Sequence, residues 1–496
     1  MYLGLDLGTS GLKALLCDSA QQPLAVARAA YPIQSPGPGL AEQDPALWIA
    51  AARQAVAEIR ARVPAVAHDL RAIGLSGQMH GLVALDADGS PLRPAMLWND
   101  SRGEGFLARV RDGFPDLAAI TGVGAMTSFT AAKLDWLAEN EPACFVAIRK
   151  IVLPKDFVRL WLTGDWATDA SDAGGTQLFD QGARRWSPEV CAFLGLDPET
   201  LPPILEATAT AGTLRPAVAD ALGLPRVPVI CGGADAATGA LATACVDSRL
   251  AMISLGTGAL YLAASDAYAP PDNPTLHHFA HCLPGRWYRM AAILGCGSVF
   301  DWACALTGAG SPAAALDAID ARGWSGPGPV LMLPYLDGVR TPHGDPRAKG
   351  AIFGLDRATD GRDLVQAALE GVCFALADAD RVLRASSTVA EVPMVIGGGA
   401  RSRTWTRMLA TVLGRPLAVA DGAEGGSALG AVRLAMLGSG LSLAEVAVPP
   451  AAHEVAPDRA LGPACEDRLA AFRALYPPVA AYGGGEARAR STADQG

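Results

Sequence analysis

Apolar residues recur along this chain in two rhythms, short runs that read as strands and spaced sets that read as helices, and the two alternate almost from end to end. Residues 2–16 (YLGLDLGTSGLKALL) and 251–264 (AMISLGTGALYLAA) share one pattern: an apolar strand, Leu-Gly-Thr, one or two small residues, then a second apolar strand. Each reads as a β-hairpin whose glycine supplies the positive φ of a tight turn. Their separation by half a chain suggests two related domains facing each other; the competing reading is chance likeness of two hairpins. Asp44-Pro45 is a helix start, with Asp as N-cap and Pro in the first turn. Trp48, Ala52, Ala55, Val56 and Ile59 follow it at helical spacing. Strands are expected at 71–77, 81–86, 227–231, 392–396 and 417–420, and helices at 236–245, 364–383, 404–413 and 427–437. Such alternation predicts an α/β architecture. The boundary is expected near 245–250, giving units of 1–246 and 247–482. The Gly-, Arg- and Ser-rich stretch 483–496 reads as a disordered tail.

Half of the 496 residues are apolar and 18% are charged, which permits a large core in each of about two to four domains. A net charge of −10 argues against general affinity for nucleic acid. It leaves open an anion held by clustered backbone N–H groups. Ten cysteines are scattered, mostly in apolar runs and without a C-x-x-C pair, which points to reduced thiols and a cytoplasmic protein. No basic-then-apolar leader precedes the first strand, and no apolar run approaches the ~20 residues of a spanning helix. Neither a signal peptide nor membrane association is therefore expected. His277, His278 and His281 could hold a metal, but no third-ligand pattern follows them, and ordinary histidines in a strand or loop are the simpler reading.

The first hairpin carries the chemistry-bearing residues Asp6, Gly8, Thr9, Ser10, Gly11 and Lys13. Its glycines let N–H groups approach an anion, Thr9 and Ser10 offer hydroxyls, Lys13 offers a point charge, and Asp6 is a hard oxygen ligand suited to Mg²⁺. A plain hairpin with a surface lysine is the alternative. Gly256, Thr257 and Gly258 form the second tip, and two tips across a cleft could clamp a triphosphate. The turn G-G-G-A-R-S at 397–402 lies between strand and helix, where a nucleotide could rest without meeting a side chain. Neither the G-x-G-x-x-G spacing of a dinucleotide fold nor a Walker A lysine occurs. In C-G-G-A-D, 231–235, Asp235 follows a buried strand and precedes a helix, so it reads as a base that takes a hydroxyl proton or simply as an N-cap. S-G-Q-M-H-G, 76–81, sets the amide of Gln78, the thioether of Met79 and the imidazole of His80 in a glycine-flanked strand break, where the polar groups would be donors to sugar hydroxyls, though His80 is more often a structural histidine. Trp98 and Asn99 follow, and Asp100 with Arg102 reads as a contact pair or a loop-ordering ion pair.

In this order the pieces resemble the FGGY family of carbohydrate kinases, over nearly the whole chain from Tyr2 to about Tyr476. F-T-A-A-K-L-D-W (129–136) is similar to one family signature, and G-A-I-F-G-L (350–355) with D-L-V-Q-A-A-L-E (363–370) to the other. S-G-Q-M-H-G, L-W-N-D-S-R (97–102), T-D-A-S-D-A-G-G-T (168–176) and L-P-Y-L-D-G-V-R-T-P-H (333–343) resemble the xylulokinase branch. The resemblance implies two actin-like (ribonuclease H-like) ATPase domains around a catalytic cleft, ATP with Mg²⁺, and phosphorylation of D-xylulose at its 5-hydroxyl. It implies Asp235 as catalytic base and Asp6 near Mg²⁺, with Gln78, Met79, His80 and Trp98 on the sugar. It assigns Thr9, Ser10, Lys13, Gly256 and Thr257 to the phosphates, and Gly398, Gly399, Ala400 and Ser402 to adenosine. Val339, Arg407 and Thr411 depart from the family pattern, where Glu, Gln and Asp are usual. A kinase of ribulose, gluconate or arabinitol, and an actin-like ATPase without a sugar substrate, are the alternatives. The lack of a basic helix-turn-helix segment ahead of the first hairpin counts against a sugar-sensing repressor. The oligomeric state is left open, a homodimer being one candidate.

Overall fold

The computed structural model describes residues 1–421 and 425–493, the side chains of 483–493 excepted. Among these residues the first half builds a seven-stranded sheet from β1 (Tyr2–Leu7), β2 (Gly11–Cys17), β3 (Pro23–Ala30), β4 (Ala72–Gly77), β5 (Thr210–Thr213), β6 (Pro228–Ile230) and β7 (Gly233–Ala234). The order is β5-β6-β4-β1-β2-β3, with β7 paired to β4. Its helices include α1 (Pro45–Arg62), α2 (Thr130–Asn140), α3 (Pro154–Thr163), α4 (Ala170–Gly174) and α5 (Asp235–Ala242). The second half builds another seven-stranded sheet from β8 (Ala251–Leu255), β9 (Ala259–Ser265), β10 (His277–Ala280), β11 (Trp287–Ile293), β12 (Met394–Ile396), β13 (Leu417–Ala420) and β14 (Ala452–Val455). Its helices include α6 (Gly297–Thr307), α7 (Pro312–Arg322), α8 (Gly361–Ser386), α9 (Arg403–Leu413), α10 (Ser427–Gly438) and α11 (Gly462–Ala493).

The two sheets repeat one plan. The run β6-β4-β1-β2-β3 in the first corresponds to β13-β12-β8-β9-β11 in the second. Strand directions also agree: β1 and β8 each pair antiparallel with the next strand and parallel with β4 or β12. Likeness of the two hairpins is therefore likeness of two whole sheets. Helices pack on both faces of β1, which explains why it reads as a near-continuous apolar run rather than an alternating one. The α1 start is as expected: Asp44 accepts from the Ala46 N–H, and Trp48, Ala52, Ala55, Val56 and Ile59 are all buried.

One expectation needs correction. Neither hairpin tip uses positive φ; among the tip glycines Gly8, Gly11, Gly256 and Gly258 none adopts it. What demands glycine is close approach of the next strand: a Cβ on Gly11 would lie 2.8 Å from the Ala29 carbonyl, and one on Gly258 2.8 Å from that of Ile293. These are equivalent places in the repeated plan. Helix α10, from the second half of the chain, lies on β1, β4 and α5 of the first. Gly4 and Gly74 make that seat possible, since a Cβ at either would fall within 2.3 Å of a carbonyl oxygen of α10. Residues 483–493 lie within the backbone of α11, which ends at Ala493. Residues 494–496 lie outside the described residues.

Candidate active site

Three parallel strands of the first sheet end side by side, and each end delivers one candidate. Asp6 on β1 stands opposite Ser76 on β4, and β7 pairs Gly233 with Ser76 and Ala234 with Gly77. Asp6, the Gln78-Met79-His80 turn and Asp235 therefore emerge at the carboxyl edge of one sheet, where open α/β sheets place their ligands. Asp6 and Asp235 are both only partly exposed. Burial raises the Asp6 carboxyl above its usual range, opposed by the Ser76 hydroxyl and the Lys13 charge. Burial, and then the charge of Asp6, push Asp235 up to about 7. Asp235 is the first residue of α5 rather than its cap: Ala234 holds the cap position, and the Asp235 side chain accepts from the Ala236 N–H at 2.8 Å. From the second half, Ser427 donates to the Asp235 carbonyl at 2.9 Å, so this residue lies at the junction of the halves.

His80 adopts a left-handed backbone, φ 65, uncommon for a residue with a side chain. Two contacts hold it there. Lys133, fully buried on α2, donates to the His80 carbonyl at 2.7 Å, and the ring Nδ1 lies 2.5 Å from the Gly175 carbonyl. A carbonyl can only accept, so Nδ1 carries the proton and Nε2 is left as an acceptor. Burial keeps the ring neutral by holding its pKa well below the usual value. The Nε2 of His80 is thus an acceptor and not the donor expected. Met79 is buried with its methyl group against Gly175, and the carbonyl-type oxygen of Gln78 is buried with no protein partner.

The tip of the first hairpin is fixed by side chains. Tyr31 donates to the Gly8 carbonyl at 2.6 Å, Gln43 to the Thr9 carbonyl at 2.7 Å, and the Trp98 indole to the Thr9 hydroxyl at 2.8 Å. Trp98 is thereby engaged with the hairpin. Lys13, cross-strand from Asp6, reaches the Gly425 carbonyl at 2.9 Å, just before α10. The second tip is held mainly by backbone: Gly297 N–H on the Gly256 carbonyl at 2.9 Å, and Cys296 and Ser298 N–H on that of Thr257 at 3.0 and 3.1 Å, with the Ser298 hydroxyl on the same carbonyl at 3.2 Å. In the third turn Gly397 has φ 98, and a Cβ on Gly399 would strike Trp405 at 2.7 Å, whereas one on Gly398 would meet nothing. Gly398 is exposed and Ala400 half-buried beside it, a turn left open for a flat ligand. Ser402 is not part of that opening. It is the buried N-cap of α9, accepting from Trp405 N–H and donating to Asp320 at 2.8 Å.

Asp100 and Arg102 form a structural ion pair that also engages Glu42, and Asp100 accepts from the Ala41 N–H at 2.8 Å. The three clustered histidines have separate surroundings: His277 lies between the rings of Phe129 and Phe279, His278 pairs with the Ala269 carbonyl, and His281 with that of Cys245. Arg407 and Thr411 act together, Arg407 pairing with Asp458 at 2.6 Å and Thr411 accepting its N–H at 3.0 Å, while Val339 is buried in the second core. Sequence reasoning missed Lys133, whose only signal was a lysine within the apolar run of 129–137, and Ser76, placed in the strand 71–77 and the S-G-Q-M-H-G motif without a role of its own.

Residues 1–242 match the FGGY family of carbohydrate kinases, N-terminal domain, and residues 251–439 match its C-terminal domain. The chain is 40% identical over 479 residues to a xylulose kinase of Escherichia coli (strain K12), covering 96% of this chain and 98% of that protein. A xylulose kinase of Klebsiella pneumoniae is 41% identical over 435 residues, 88% and 89% of the two chains. Among solved structures, a xyloylose kinase from Brucella ovis superposes with a TM-score of 0.92 at 41% identity, over 97% of this chain and 99% of that one. The fold is the expected pair of actin-like α/β domains.

Proposed function

This chain belongs to the FGGY family of carbohydrate kinases, and from that premise we propose that it transfers the γ-phosphoryl group of ATP to the 5-hydroxyl of D-xylulose, giving D-xylulose 5-phosphate. The observation that carries the chemistry is Asp235, a carboxylate pushed up to about 7 at the end of a central strand beside Asp6. A base of that strength is poised near neutral pH to accept the hydroxyl proton as the oxygen attacks. His80 Nε2 accepts from a second sugar hydroxyl, and buried Met79 forms the apolar wall beside it. The likeness to xylulose kinases favours xylulose over other ketoses.

Thr9, Ser10 and Lys13 from one half, with Gly256 and Thr257 from the other, hold the phosphates, and Gly398 to Ala400 back the adenosine. Closure of the halves would exclude water and bring the hydroxyl in line with the phosphorus. The site fits Mg²⁺: Asp6 and Asp235 crowd oxygen donors and negative charge together, a load that a hard divalent cation relieves. Asp6 would hold it, directly or through water, and the ion would supply charge neutralisation on the phosphates. Ten free cysteines and a phosphorylated-sugar product fit a reducing cytoplasm, and no described helix is long and apolar enough to cross a membrane. A coupled assay of ATP consumption across a panel of ketoses, polyols and sugar acids tests the reading. Turnover should be greatest with D-xylulose; strong turnover of another substrate with none of xylulose rejects the assignment.

A further inference from the structure

Beneath the turn that carries Asp235 lies a group of fully buried charges. Lys155 on α3 is 2.6 Å from Asp156, 2.9 Å from Asp169 and 3.1 Å from Asp172, and Arg159 is 2.8 Å from Asp156. All five side chains have no exposure. Burying so many charges is expensive, and apolar residues of like volume would stabilise a core at least as well, so stability alone does not account for them. The charges nearly cancel. Burial lowers Lys155, but its three carboxylates more than restore it, whereas burial raises Asp172 well above the usual carboxylate range. Asp235 itself is shifted by burial and then by the charge of Asp6. The ionic group reaches the turn before Asp235 through hydrogen bonds.

Two such bonds reach the turn, one at each end. Arg159 donates to the Cys231 carbonyl at 3.2 Å. The Ser171 hydroxyl donates to Asp169 and accepts the N–H of Ala234, the residue before Asp235, at 3.0 Å. Between them Gly232, at φ 85, presses against the Leu75 carbonyl. The segment 231–234 is thus clamped to a rigid ionic base at its first carbonyl and its last N–H. We propose that Arg159 and the Asp169–Ser171 pair are positioning residues, whose task is to fix the direction in which Asp235 leaves the sheet.

This rests on Asp235 acting as the base, and the test separates the two ideas. Ser171→Ala removes the link to Ala234 together with the hydroxyl bond to Asp169, and leaves Asp169 paired with Lys155 and with the N–H of residue 171. The full-length variant should keep its melting temperature and its KM for D-xylulose within about twofold, while kcat falls roughly 10- to 100-fold, the cost of a slightly misplaced reacting group. Hydrogen exchange by mass spectrometry should rise over 231–236 and nowhere else. Equal kcat and equal exchange in variant and wild type overturn the proposal, and so does a loss of kcat that tracks a loss of melting temperature. Failure of the substrate assignment shows differently, as absent turnover in the wild type, and leaves the exchange measurement readable. Arg159→Met is a second arm expected to lose kcat further; should it not fold, Ser171→Ala still decides.

Discussion

The two Gly-Thr hairpins occupy equivalent places in equivalent sheets, yet they are equipped for different work. Where the first has Asp6, the second has Ser254, and where Lys13 faces Asp6 across the strands, Leu260 faces Ser254. The first tip is held by the side chains of Tyr31, Gln43 and Trp98, the second mainly by N–H groups at the start of α6. The first half therefore supplies charge and the second supplies only backbone and a hydroxyl. A shared fold fixes where a loop sits, and the residues at its strand ends decide what it does.

The largest effect should come from removing charge where the comparison concentrates it. Asp235→Asn should lower kcat roughly 100- to 10,000-fold, as loss of a general base does, with sugar binding largely kept, measured by steady-state kinetics and calorimetry. The same variant should melt higher than wild type at pH 8. The folded pKa of about 7 lies above the ~3.9 of an unfolded Asp, so ionising Asp235 costs stability as pH rises through that window. The gain should vanish below pH 4, where both states are protonated. Second in size, Asp6→Ser gives the first hairpin the residue of the second and should cost roughly 100-fold in kcat; Ser254→Ala, its counterpart, should stay within about twofold. An equal loss in both would erase the distinction between the hairpins.

A pH profile sharpens it further. Activity requires Asp235 ionised, so kcat/KM should fall roughly tenfold per unit below a midpoint near 7. A flat profile down to pH 5 would exclude Asp235 as the titrating base. Smallest is Trp98→Phe, which deletes the indole bond to Thr9. Worth one hydrogen bond, it should raise the KM for ATP about 2- to 10-fold with kcat little changed.

What the chain alone determined was whatever depends on local pattern. Apolar rhythm located the strands and helices, Asp44-Pro45 located the start of α1, and short motifs located Asp6, Met79, His80 and Asp235. Such features need only neighbours in sequence. The rest depended on partners outside the local segment. That glycine at 11 and 258 serves close packing and that Gly4 and Gly74 seat a helix from the other half follow from which backbone lies opposite, and Ser402 is drawn out of the open turn by its bond to Asp320 of α7. The proton on His80 is placed by the Gly175 carbonyl, and the strength of Asp235 by burial and the charge of Asp6. Desolvation and hydrogen-bond direction are properties of an assembled surrounding, and no residue carries them in its own letter.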